Sequence, residues 1–140
     1  MKIYNSEQIA ILLKIGLDPN VEYFYENDKK KKHFYNNSLY PLALKIRSIT
    51  SYACKKPYKN KSNSFKYLGC VYDVFKIHIE KQFLPGMSWE NYGLWHIDHI
   101  VPISIAKSEE EMLVFGKFTN LRPMWAKENI SKKNKKLYLL

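Results

Sequence analysis

Apolar positions recur at helical spacing in three stretches of the chain. After Asn5-Ser6-Glu7, an N-cap sequence, come Ile9, Ala10, Leu12, Leu13 and Ile15, and Gly16 then ends a short helix. Leu42, Ile46, Ile49 and Ala53 form a second stripe across residues 41–53, with Lys45 and Arg47 off it. Val71, Val74, Phe75, His78, Ile79 and Phe83 form the third, with Lys76, Glu80 and Lys81 elsewhere on the cylinder, until Pro85-Gly86 breaks the helix. His78 on that apolar side reads as a core or boundary histidine rather than a ligand.

Between these stripes the pattern changes. Asp18-Pro19-Asn20 predicts a turn, and residues 21–25 have the bulky content of a strand. Residues 29–32 are four lysines and read as a solvated loop. Residues 55–66, rich in Lys, Asn and Ser, read as a basic surface loop or linker in which nothing packs. Trp89 and Tyr92 are expected to cover one side of the element that follows them. Residues 95–100 alternate as a strand does, His96 and Asp98 on one face and Trp95, Ile97 and His99 on the other, and Pro102 stops it. Ser108 and the three glutamates after it open a short helix within a long connection. Residues 120–124 can return as a second strand, limited by Pro123 to an edge or an end, and residues 126–133 would form the final helix.

Composition narrows the partners. The chain carries 140 residues, eleven Tyr and three Trp, enough for a modest single core. No apolar run reaches the ~18 residues that span a bilayer, and no sustained apolar stretch follows Met1 as in a signal peptide; an intracellular protein without membrane contact is expected. Cys54 and Cys70 form no Cys-x-x-Cys pair, so they read as reduced structural thiols and a four-thiolate zinc site is excluded. The net charge of +10 is unevenly spread: residues 29–66 contain eleven Lys/Arg and no acid, and Lys127, Lys132, Lys133, Lys135 and Lys136 cluster later. An acid-free basic segment suits a polyanion, and nucleic acid fits better than a membrane surface.

The candidate chemistry lies in two blocks. Trp95-His96-Ile97-Asp98-His99-Ile100-Val101-Pro102 places a hard oxygen ligand beside an imidazole. Thr119-Asn120-Leu121-Arg122-Pro123-Met124-Trp125 is followed by Asn129-Ile130-Ser131-Lys132-Lys133-Asn134-Lys135. Phosphodiester hydrolysis needs an activated water, neutralised phosphoryl oxygens and help for the leaving oxygen. A histidine titrating near pH 6.5 suits the first, and a divalent ion held by oxygen ligands suits the others.

Together these blocks resemble the HNH endonucleases, also called His-Me finger or ββα-metal nucleases. The resemblance is close over the last third of the chain. It extends more loosely over Tyr67-Leu68-Gly69-Cys70, Ile79-Glu80-Lys81-Gln82-Phe83 and Pro85-Gly86-Met87-Ser88-Trp89-Glu90-Asn91-Tyr92-Gly93, which look like a stretch preceding the motif in phage-type members. It implies an α+β fold, small and mainly helical, with a C-terminal ββα-metal motif. Residues 1–66 would be a helical, basic DNA-contacting region, and residues 67–140 the nuclease domain, with its core at about 94–136.

The resemblance also implies roles. Asp98 matches the first metal ligand, His99 the general base, Asn120 the middle Asn that braces the loop, and Asn129 the last position, where Asn replaces the more frequent His. That H-N-N pattern favours one Mg²⁺ or Mn²⁺ over zinc, since an amide oxygen is harder than imidazole. His96, on the Asp98 face, would hydrogen-bond a phosphate, protonate the leaving oxygen or only line the rim. Lys45, Arg47, Arg122, Lys127, Lys132 and Lys133 are candidate phosphate contacts. The implied activity is metal-dependent hydrolysis of DNA, duplex or branched, leaving 5′-phosphate and 3′-hydroxyl ends. One site nicks, so cutting both strands would take a homodimer or two visits. The alternatives are an inactive nucleic-acid-binding module and a structural or packaging partner.

Overall fold

The structure, a computed structural model, describes residues 4–14, 16–21 and 38–128. Helix α1 spans Ser6–Lys14. Its start is a reciprocal cap: Asn5 Oδ1 accepts from the Gln8 backbone N at 2.8 Å, and Gln8 Oε1 accepts from the Asn5 N at 2.7 Å. Gly16, at φ 81°, closes the helix as expected, and Leu17 N donates back to the Leu12 carbonyl at 2.8 Å. In the turn that follows, Asp18 Oδ1 accepts from the Asn20 N at 2.8 Å. The strand expected at residues 21–25 and the lysine run at 29–32 lie outside the described residues, Val21 excepted.

Helix α2, Tyr40–Lys55, buries Ala43, Ile46, Thr50, Ala53 and Cys54, with Leu42 and Ile49 flanking that stripe. Residues 55–66 depart from the expected loop. Tyr58 is buried and donates its hydroxyl to the Cys70 carbonyl at 2.8 Å, edge-on to Tyr72 at 5.4 Å. Helix α3, Asn63–Leu68, then starts under a Ser62 cap whose Oγ accepts from Phe65 N. The buried Tyr58 and the Ser62 cap thus help to pin a stretch rich in lysine and asparagine.

Helix α4, Tyr72–Glu80, is shorter than its stripe suggested. Phe75 and Ile79 are fully buried, but Val74 is 43% exposed, because it sits to one side of the band that faces the core. The chain turns at residues 81–82, which lets Phe83 swing into a cluster with Trp89 (5.3 Å) and Trp95 (5.1 Å). Trp89 and Tyr92 cover Trp95 as expected, with ring centroids at 5.5 and 4.9 Å.

Strands β1 (Trp95–His99) and β2 (Leu121–Trp125) pair antiparallel: Trp95 faces Trp125, His96 faces Met124, Ile97 faces Pro123, Asp98 faces Arg122 and His99 faces Leu121. Pro123 is tolerated because each strand of a two-stranded sheet is an edge. The connection holds a 3₁₀ turn at Ile103–Ile105, helix α5 at Glu109–Phe115 and a second 3₁₀ turn at Phe118–Asn120. Ser108 caps α5, accepting from Glu111 N at 3.1 Å, where the sequence placed the helix start. Past β2, residues 126–128 turn helical; the rest of the expected final helix lies outside the described residues.

A two-stranded hairpin is marginal alone and needs packing on its flanks. One cluster joins α1, α2 and the connection through Leu12, Ala43, Ile46, Val101, Ile103, Met112 and Phe115. The other joins α2, α3, α4 and the hairpin through Ala53, Leu68, Phe75, Ile79, Trp95 and Leu121. Where α5 ends against α2, a Cβ on Gly116 would meet Ile46 Cγ2 at 3.0 Å, so that close approach favours glycine. The architecture is α+β and mostly helical. Among the described residues, no helix is long and apolar enough to cross a membrane.

Candidate active site at the end of the hairpin

Alternation along β1 sends Trp95 and Ile97 into the aromatic cluster and leaves His96 and Asp98 on the other face, opposite Met124 and Arg122. The Asp98 side chain is only 10% exposed, and its Oδ2 accepts from Arg122 Nε at 2.9 Å. The sequence had offered Arg122 as a phosphate contact at large. The hairpin register sets it directly across from the acid, as half of an ion pair. A carboxylate so shielded keeps more of its Coulomb attraction than a surface one.

His99 ends β1 and is half-buried, with its Nε2 shielded from solvent. The chain just after it is fixed by Asn120, which is fully buried. Asn120 Oδ1 accepts from Val101 N at 2.9 Å and Nδ2 donates to the Val101 carbonyl at 2.9 Å. Nδ2 also donates to the Phe115 carbonyl at 2.7 Å, and the Asn120 backbone carbonyl accepts from Ile100 N at 2.9 Å. One side chain thereby ties residue 101, the end of α5 and the start of β2 into one unit, immediately beyond His99.

The fourth partner comes from the far end of the chain. Gln8 Nε2 donates to Asn120 Oδ1 at 2.7 Å across 112 positions, and Gln8 is 1% exposed. The same side chain that closes the α1 cap through its oxygen braces the hairpin through its nitrogen. The Asn5-x-x-Gln8 spacing signals the cap, but nothing local signals the long-range contact.

His96 lies on the Asp98 face, with its ring 6.2 Å from that of Tyr92. Lys45 and Arg47 are exposed on α2, and Lys45 Nζ lies 5.0 Å from the Tyr67 ring centroid, with Lys66 on the same ring at 5.6 Å. Lys127 is exposed just past β2. Asn129, Lys132 and Lys133 lie outside the described residues, so the second expected ligand and two of the expected cations have no placement.

Two other titratable sites belong to the scaffold. His78 stacks edge-on against Phe118 at 5.1 Å, and burial pushes its imidazole below the ordinary histidine range; Lys81 adds to this and the Leu121 backbone opposes it. Both cysteines are free and buried, and burial pushes the Cys54 thiol up to about 12. Thiols kept protonated by burial do not suit nucleophilic work at neutral pH.

The donor chemistry at Asp98 fits a hard divalent ion. A carboxylate oxygen is the ligand type Mg²⁺ and Mn²⁺ prefer, although Arg122 holds Oδ2 here. Among the described residues no three His, Cys, Asp or Glu side chains converge; the set expected from the sequence, one carboxylate and one amide, has a single member of that class.

No family model matches the chain, and no solved structure matches it. It is similar to two proteins of Acanthamoeba polyphaga mimivirus. It is 33% identical to uncharacterized protein L426 over 113 residues, 79% of this chain and 50% of that protein. It is 28% identical to uncharacterized protein L246 over 83 residues, 56% of this chain and 36% of that protein. The chain thus spans half the length of one viral relative and about a third of the other.

Proposed function

We propose that the protein is an HNH-type endonuclease of the ββα-metal class that hydrolyses DNA phosphodiester bonds. The observation that carries this reading is the hairpin end itself. Asp98 and His99 finish one strand, and Asn120, which opens the other, knits the residues just past His99 to both flanking elements. A base must be held in one orientation to take a proton in the transition state, and the bonds from Asn120 restrict the backbone on which His99 stands.

In the proposed reaction His99 accepts a proton from water as the water oxygen bonds to phosphorus. The bond from phosphorus to the 3′ oxygen breaks, and that oxygen takes a proton, from solvent or from His96. The products carry 5′-phosphate and 3′-hydroxyl ends. A divalent ion at Asp98, with Asn129 as the second ligand, would neutralise the phosphoryl and leaving oxygens. Lys45, Arg47 and Lys127, with Lys132 and Lys133, would hold the backbone on either side, and this share of affinity should fall with salt. An origin in a viral or mobile genome accords with the mimivirus relatives.

The test is conversion of supercoiled plasmid in EDTA, Mg²⁺, Mn²⁺ or Zn²⁺, with Asp98→Ala alongside. The reading expects metal-dependent nicking, strongest in Mg²⁺ or Mn²⁺ and abolished in Asp98→Ala. Undiminished cutting by the variant across a Mg²⁺ titration would remove Asp98 as a ligand. A second reading draws on the ion pair: a DNA-binding module in which Asp98 serves only to hold Arg122. It expects salt-sensitive DNA binding with no cutting in any metal.

A further inference from the structure

We infer that Arg122 is a lock on Asp98 that couples metal binding to the arrival of a backbone phosphate. The inference rests on the nuclease reading and adds a regulatory role for a residue of that site. Register holds Arg122 directly across from Asp98, and Nε approaches Oδ2 at 2.9 Å. The acid is nearly buried while the guanidinium is 24% exposed, so the cation lies on the solvent side of the pair. A divalent ion sharing that carboxylate meets a fixed positive charge at close range, in a setting where water screens poorly. With the guanidinium in place, the carboxylate is a weak metal site.

Phosphate changes that balance. A guanidinium is a planar fork of five donors that matches phosphate as well as carboxylate. A scissile-strand phosphate near the hairpin competes with Asp98 for Arg122, and the long arginine side chain can follow it by changing rotamer. As Arg122 turns to the phosphate, the carboxylate gains an oxygen and loses a repelling neighbour. Metal and DNA then bind cooperatively, and by linkage each strengthens the other. Lysine would keep the charge without the fork, and glutamine would remove the charge.

The experiment is Mn²⁺ binding to the full chain followed by electron paramagnetic resonance, without DNA and with saturating duplex. Mn²⁺ binding to the duplex alone is subtracted. Wild type, Arg122→Gln, Arg122→Lys and Asp98→Ala are compared after thermal melting shows each folded. The lock predicts that, without DNA, Arg122→Gln binds Mn²⁺ roughly tenfold or more tightly than wild type, from loss of a contacting charge. Arg122→Lys stays near wild type, and the gain in affinity caused by duplex is smaller in Arg122→Gln than in wild type. Equal or weaker Mn²⁺ binding by Arg122→Gln, with the site still lost in Asp98→Ala, overturns the lock and leaves the nuclease reading standing. Mn²⁺ binding that survives Asp98→Ala overturns the ligand assignment and the lock together.

Discussion

Asn120 and Asp98 stand at the same end of one hairpin and are held in opposite ways. Asn120 is wholly buried, and its amide makes four hydrogen bonds, to Gln8, twice to Val101 and to Phe115. Asp98 is nearly buried, but the partner across the strands is a charge on a long, partly exposed side chain. A neutral amide with both ends satisfied has one good arrangement, and a carboxylate opposite an arginine has several. The difference separates a part of the hairpin held by a full set of neutral hydrogen bonds from a part held by a charge pair.

The sharpest way to break this contrast is to remove the brace. Asn120→Ala strands the Val101 N–H and carbonyl, the Phe115 carbonyl and Gln8 Nε2, and should cost about 3 kcal/mol or more in chemical denaturation. A loss under about 1 kcal/mol would mean that water or rearrangement replaces the amide. Gln8→Leu removes one contact to Asn120 and half of the α1 cap, and should cost about 1–2 kcal/mol. If Gln8→Leu is neutral, α1 is merely adjacent to the hairpin.

The smallest effect concerns pH. His78 is held below its ordinary value by burial, so the unfolded chain binds a proton more readily than the folded one. Its contribution to stability is complete above about pH 6.5, the unfolded value, and is lost as pH falls toward the lower folded value. His78→Leu should therefore lose less Tm than wild type between pH 7.5 and 5. An identical loss would show that other groups carry the acid sensitivity.

Much of this arrangement is legible in the sequence because it is local. Asn5, Gly16 and Ser108 mark helix ends by hydrogen-bonding rules that span three or four residues, and alternation over residues 95–99 sorts the strand faces. What escapes is non-local or rests on single residues. The burial of Tyr58 turns an apparent linker into packed chain, and no period announces one aromatic. The Asp98–Arg122 pair depends on a register set across a connection of intermediate helices, whose length fixes no alignment. The Gln8–Asn120 bond joins the two ends of the described chain.

The most direct test of the nuclease reading is the cleavage rate of His99→Ala in Mg²⁺ or Mn²⁺, measured with DNA affinity on the same preparation. The account predicts a rate at least ~10²-fold below wild type, as expected for loss of a general base, with binding near wild type. Near-normal cutting by His99→Ala would contradict it.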